Sequence, residues 1–131
     1  MITKEIEEKL NDACKIAYNV SLENLRLKNR SRNLSDIRHI ICYYYMNNTK
    51  LTTMEIGYLI ERDHSTVVHG NKKISMLIES NDKEINTKLG NFIEAISDNI
   101  IYNVMNKIIK LPIGQRIVIV EKIEKIIKEL K

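Results

Sequence analysis

Apolar residues in this chain recur every three or four positions, the spacing that lines one face of an α-helix. Ile6, Leu10, Cys14 and Ala17 do so among charged residues and predict a helix over 3–19. Ser21, in "VSLENL", is placed to cap a short second helix. A further helix is expected from Ser35, whose hydroxyl can cap a run with Ile37, Ile40, Ile41, Tyr44 and Tyr45 on one side. The polar stretch "MNNTK" ends that run, and Thr52-x-x-Glu55 then fits a capping box. It opens a short helix with Ile56, Leu59 and Ile60 on one face. After the tight break "ERD", Asp63 stands where an N-cap belongs, and Val67, Ile74, Leu77 and Ile78 carry a helix to about residue 79. Two short helices joined by a few residues make a helix-turn-helix pattern, a weak signal by itself because many helical hairpins share it.

Beyond "ESND", Ile85, Leu89, Phe92, Ile93 and Ile96 fall on one side of another helix, and the pattern continues through Ile100, Val104 and Ile108 to Leu111. Pro112 and Gly114 in "LPIG" break it. Ile119, Ile123, Ile126 and Leu130 then alternate steps of four and three, a heptad-like spacing over barely two heptads. "RIVIV" at 116–120 is β-branched enough to form a strand in another setting. The expected division is a domain over 1–97 and a helical tail over 98–131, a hairpin that either caps the domain or joins two copies.

Composition agrees with an all-α protein. Among 131 residues there are one Pro, four Gly, no Trp and one Phe, beside abundant Ile, Leu, Lys and Glu. No apolar run approaches a membrane span and no apolar signal segment opens the chain, so a cytoplasmic location is expected. Cys14 and Cys42 sit singly in amphipathic patterns and read as buried free thiols. The formal net charge of +4 decides little, but its distribution is informative. "RLKNRSR", 26–32, carries Arg26, Lys28, Arg30 and Arg32 with no acid among them.

The stretch "ERDHSTVVHG", 61–70, concentrates the candidate chemistry. Asp63, His64 and Ser65 are consecutive, and on a helix consecutive side chains diverge by about 100°, so they cannot relay a proton among themselves. His64 and His69 fall on different faces, and no HExxH or CxxC pattern accompanies them, which disfavours a metal site. The four glycines are isolated, outside any GxxxxGK[ST] or GxGxxG loop, so neither ATP chemistry nor a cofactor is expected. Two readings remain. The polar side chains could cap and solvate the helix, or they could face base edges at the first turn of a helix lying in a major groove.

The run "EIGYLIERDHSTVVHGNKKI", 55–74, resembles the signature of the C-terminal DNA-binding domain, domain IV, of the bacterial replication initiator DnaA. "VSLENLRLKNRSR" and "DIRHIICYYYMNNTKLTTMEIG" resemble the upstream part of the same domain, so the likeness covers roughly residues 5–97. It implies a Trp-repressor-like helix-turn-helix bundle, here with an extra C-terminal helical hairpin. It also implies binding to double-stranded DNA carrying DnaA boxes of the TTATNCACA type. Position by position, Asp63, His64 and Ser65 would read bases in the major groove and Arg30 would enter the minor groove. Arg32, Arg38, Thr66, His69 and Lys73 would lie along the DNA backbone.

Three positions depart from the family pattern. Asp36 stands in a segment that is usually acid-poor and Arg-rich. Met46 replaces a backbone-contacting Lys, and Glu61 occupies a turn position that often holds Gly. Each is expected to weaken phosphate binding. Whole initiators carry a nucleotide-binding domain ahead of this module. The expectation is therefore a stand-alone, non-enzymatic DNA binder that regulates replication or transcription at box-like sites, with the tail able to form a homodimer. The competing reading is a protein-interaction module with weakened DNA affinity that acts through its tail.

Overall fold

The computed structural model describes residues 2–130, the side chains of 98–106 excepted. Among the described residues every regular element is an α-helix: α1 (Lys4–Tyr18), α2 (Leu22–Arg26), α3 (Arg32–Asn48), α4 (Thr53–Ile60), α5 (His64–Glu79), α6 (Lys83–Ile109) and α7 (Ile113–Leu130). The chain divides into two compact units, Met1–Ile96 and Ser97–Lys131.

Local chemistry sets most boundaries. Thr3, Ser21 and Thr52 each accept a backbone N–H from the first turn of the helix they precede, at 3.2, 3.1 and 3.1 Å. Glu55 closes the capping box by accepting from the Thr52 N–H at 3.0 Å. The third helix begins earlier than its apolar pattern suggests. Ser31, not Ser35, is its N-cap, with its Oγ accepting from Leu34 N at 3.3 Å. Ser31 N in turn donates to Asn29 Oδ1 at 2.8 Å, so the basic loop carries its own stop and start. Arg32 therefore lies in the first turn of α3.

The core of the first unit surrounds α3. Ile37, Ile40, Ile41 and Tyr45 meet Leu10 and Cys14 of α1, Leu22 and Leu25 of α2, Ile56, Leu59 and Ile60 of α4, and Val67 and Ile74 of α5. From α6, Ile85, Leu89, Phe92 and Ile96 join them. Phe92 stacks on Tyr18 and meets Tyr44 edge-on, with ring centroids 6.4 and 5.3 Å apart. Ile93, expected on this side of α6, is instead 40% exposed, because it lies one residue past Phe92 and about 100° round the helix. Cys14 and Cys42 are buried free thiols, and burial pushes each up to about 12.

Two departures from the family pattern find structural partners. Asp36 is 5% exposed and pairs with Lys88 Nζ of α6 at 3.3 Å, so its charge is neutralised inside the domain. Met46 packs, half-buried, against the core.

In the second unit, "RIVIV" is helical within α7, since its flanks supply helical hydrogen bonding and no neighbouring strand pairs with it among the described residues. Gly114 lies inside the first turn of α7, and the break falls at 110–112. Gln115 and Arg116 donate their backbone N–H groups to the Pro112 carbonyl at 3.0 and 3.1 Å. Ile100 and Val104 lie outside the described side chains.

Candidate nucleic-acid interface

α4, the turn and α5 form a tight helix-turn-helix whose corner depends on one glycine. Arg62 N donates to the Gly57 carbonyl at 2.9 Å, and a Cβ on Gly57 would overlap the Arg62 carbonyl oxygen. Glu61 closes α4 in the left-handed region, φ 52°, which explains why glycine suits this position. α5 then starts at His64, and its buried side is Val67, Gly70 and Ile74. Its opposite side presents His64, Ser65, Val68, His69, Lys72 and Lys73, all exposed.

Asp63 precedes α5 in extended geometry without accepting a capping bond from it. Its carboxylate turns to its neighbours instead: Ser65 Oγ donates to Oδ2 at 2.6 Å, and His64 Nδ1 lies 3.1 Å from Oδ1. The Ser65 hydroxyl and the adjoining His64 hold the carboxyl below its ordinary value. Asp63, His64 and Ser65 thus form one exposed, mutually ordered cluster, and the amides of the first turn of α5 are left without a side-chain cap from Asp63. Thr66 is half-buried beside them, its N–H donating to the Asp63 carbonyl at 3.0 Å.

The basic loop is held against this turn by arginines. Arg62 donates from Nη2 to the Leu27 carbonyl at 2.7 Å and from Nη1 to Arg26 O at 3.2 Å. Arg38 donates from Nε to Leu25 O at 2.7 Å and from Nη2 to Leu27 O at 3.2 Å and Asn29 O at 2.9 Å. Arg26 Nε reaches across to Leu59 O at 2.9 Å. The Leu27 carbonyl therefore accepts from two guanidinium groups. The carbonyls of Leu25, Arg26, Leu27 and Asn29 are thus taken up by these arginines, while Lys28, Arg30 and Arg32 remain exposed. An open cleft of about 400 Å³ runs between loop and turn, lined by Lys28, Arg30, Arg38, Arg62 and Glu61.

Arg38 is 6% exposed, and its Nε and Nη2 are engaged by loop carbonyls, so it braces the loop while also lining the cleft. Burial, together with the nearby Arg62 charge, lowers its pKa. Of the other expected residues, Asp63, His64, Ser65, His69 and Lys73 are exposed at α5, Thr66 is half-buried there, and Arg30 and Arg32 are exposed at the basic loop. His69 is set by a neighbour that sequence patterning does not reveal. Its ring meets that of buried His39 edge-on, centroids 5.9 Å apart, and Gly70 leaves the room, since a Cβ there would come within 2.8 Å of His39 Cδ2. The anchoring Arg62 carries no signal in the sequence pattern.

Among the described residues no group of three or more His, Cys, Asp or Glu side chains is placed to hold a metal ion, and no helix is long and apolar enough to cross a membrane.

A helix-turn-helix with an exposed polar first turn and an arginine-anchored basic loop defines a DNA-binding module. Residues 8–74 match the family model described as the bacterial DnaA protein helix-turn-helix, and the chain belongs to that family. It is similar to the chromosomal replication initiator protein DnaA of Thermoanaerobacter sp. strain X514, 37% identical over 82 residues, which are 61% of this chain and 18% of that protein. The initiator of Roseiflexus castenholzii is 41% identical over 71 residues, 53% of this chain and 13% of the relative. That of Thermosipho melanesiensis is 29% identical over 93 residues, 71% and 20%. The chain thus spans a fifth or less of the length of these relatives.

Proposed function

We propose that this protein binds double-stranded DNA sequence-specifically at DnaA-box-like sites. Asp63, His64 and Ser65 read base edges in the major groove from the start of α5. Asp63 accepts from cytosine N4, His64 meets a purine edge, and Ser65 contacts thymine or phosphate. Arg30 enters the adjoining minor groove, where A·T-rich sequence is narrow and strongly negative. Arg32, Arg38, Thr66, His69 and Lys73 lie along the backbone, Arg38 also fixing the loop from within. Bound to such sites, the protein regulates replication or transcription, working at the nucleoid in the cytoplasm.

The observation that carries this reading is the pairing of two exposed readers through Arg62. Its own neighbour Asp63 begins the major-groove cluster, and its guanidinium holds Leu27, three residues from Arg30. Specific readout needs base contacts in fixed register with backbone contacts, and a shared anchor supplies that register. Glu61 moderates the affinity, since its exposed carboxylate stands in the same cleft as Arg30.

Binding-site selection from a pool of random duplexes tests the proposal. Enrichment of sequences resembling the DnaA box is expected. Recovery of a pool without sequence preference would contradict it.

A further inference from the structure

The apolar positions of α7 have no part in the DNA-binding reading. None of its residues is buried, and Val120, Ile123, Ile126, Ile127 and Leu130 are 40–81% exposed. A helix of 18 residues is marginal in water alone and gains stability by covering an apolar face. Ile119, Ile123, Ile126 and Leu130 take the d, a, d and a positions of a heptad. Val120 and Ile127 then fall at e, and Lys122 and Glu129 at g. Arg116, at the preceding a position, donates from Nε to the Leu111 carbonyl at 2.6 Å, so the apolar stripe starts at Ile119.

We propose that α7 pairs with α7 of a second copy, antiparallel and two-fold symmetric, with Ile119 facing the partner's Leu130 and Ile123 facing the partner's Ile126. The charges single out this arrangement. In an antiparallel pair the g edges meet each other and the e edges meet each other, and flanking charges set partner and orientation. This register brings Lys122 to the partner's Glu129 twice by symmetry, while Val120 and Ile127 meet along the other edge. Slipping by one heptad in either direction opposes Lys122 to Lys122, or Glu129 to Glu129. A parallel pair sets g against e and offers Lys122 only Ile127. Such self-complementarity belongs to an isologous contact between identical chains, where i meets j and j meets i. The charged residues Glu121, Glu124, Lys125 and Lys128 occupy the remaining outer positions of the paired segment.

Sedimentation of the full chain without DNA, at low salt and across a concentration series, tests the pairing independently of any DNA-binding role. A dimer is expected. Lys122→Glu or Glu129→Lys alone weakens it about tenfold, as two exposed pairs become repulsions. The double variant K122E/E129K restores it, because the same pairs re-form with signs exchanged. Ile126→Asp abolishes it, and circular dichroism checks that the first unit keeps its helices. A chain that stays monomeric at every concentration would mean that its own residues cover α7, and would overturn the proposal. A dimer indifferent to the single reversals, or one not recovered in the double variant, would overturn the antiparallel register.

Discussion

His39 lies under α5, 9% exposed, with its Nδ1 the one buried side-chain polar atom left unpaired among the described residues. Burial lowers its pKa, and the charges of Lys73, His69 and Arg38 act the same way against the opposing pull of Asp36. The folded protein therefore keeps His39 neutral where the unfolded chain protonates it. Below the ordinary histidine value of 6.5 the unfolded state binds more protons, so stability is full above that pH and falls as the pH drops from it. Urea denaturation at neutral and mildly acidic pH measures this, and an acid loss that is the same in a His39→Gln variant would contradict the assignment. At the surface, His64→Ala is expected to cost roughly 1–3 kcal/mol on a box duplex and to narrow discrimination, as for other base contacts. Equal losses on box and scrambled DNA would remove its reading role. If Lys73 touches a phosphate, Lys73→Ala should weaken every sequence alike and reduce the salt slope by about one unit. A slope equal to that of the parent would exclude the contact.

At the scale of elements, the turn between α4 and α5 is where packing leaves least freedom. Gly57→Ala drives a methyl into the Arg62 carbonyl, so the corner must open. A loss of about 1–3 kcal/mol is expected from this overpacking, read by thermal or urea denaturation, and unchanged stability would refute the contact. The same turn shows how far sequence reasoning reached. The capping box at Thr52 and Glu55, the cap at Ser21 and the apolar faces of α3 to α5 were legible because they rest on local spacing. The start of α3 was misjudged because Ser31 and Ser35 offer the same hydroxyl, and only Asn29, bonded to Ser31 N, favours the earlier one. Arg38 and Arg62 were harder still. A guanidinium that satisfies carbonyls 9 to 36 positions away has no periodicity, so an inward arginine looks like an outward one in the sequence. The buried Asp36–Lys88 pair, 52 residues apart, was hidden for the same reason. The exposed cluster Asp63–His64–Ser65 was visible as a group, but its internal bonds belong to the fold.

Taken whole, the molecule joins a DNA-binding unit built on α3 to a tail in which none of the residues of α7 is buried. A dimer would give two modest modules a common attachment, and paired sites would then bind with avidity beyond either module alone. The most direct test of the central claim uses fluorescence anisotropy at near-physiological salt. It compares a duplex carrying one DnaA box with the same duplex scrambled. A preference of about 10³-fold or more for the box is expected, the range of specific site binders. Equal, weak binding to the two duplexes would contradict it.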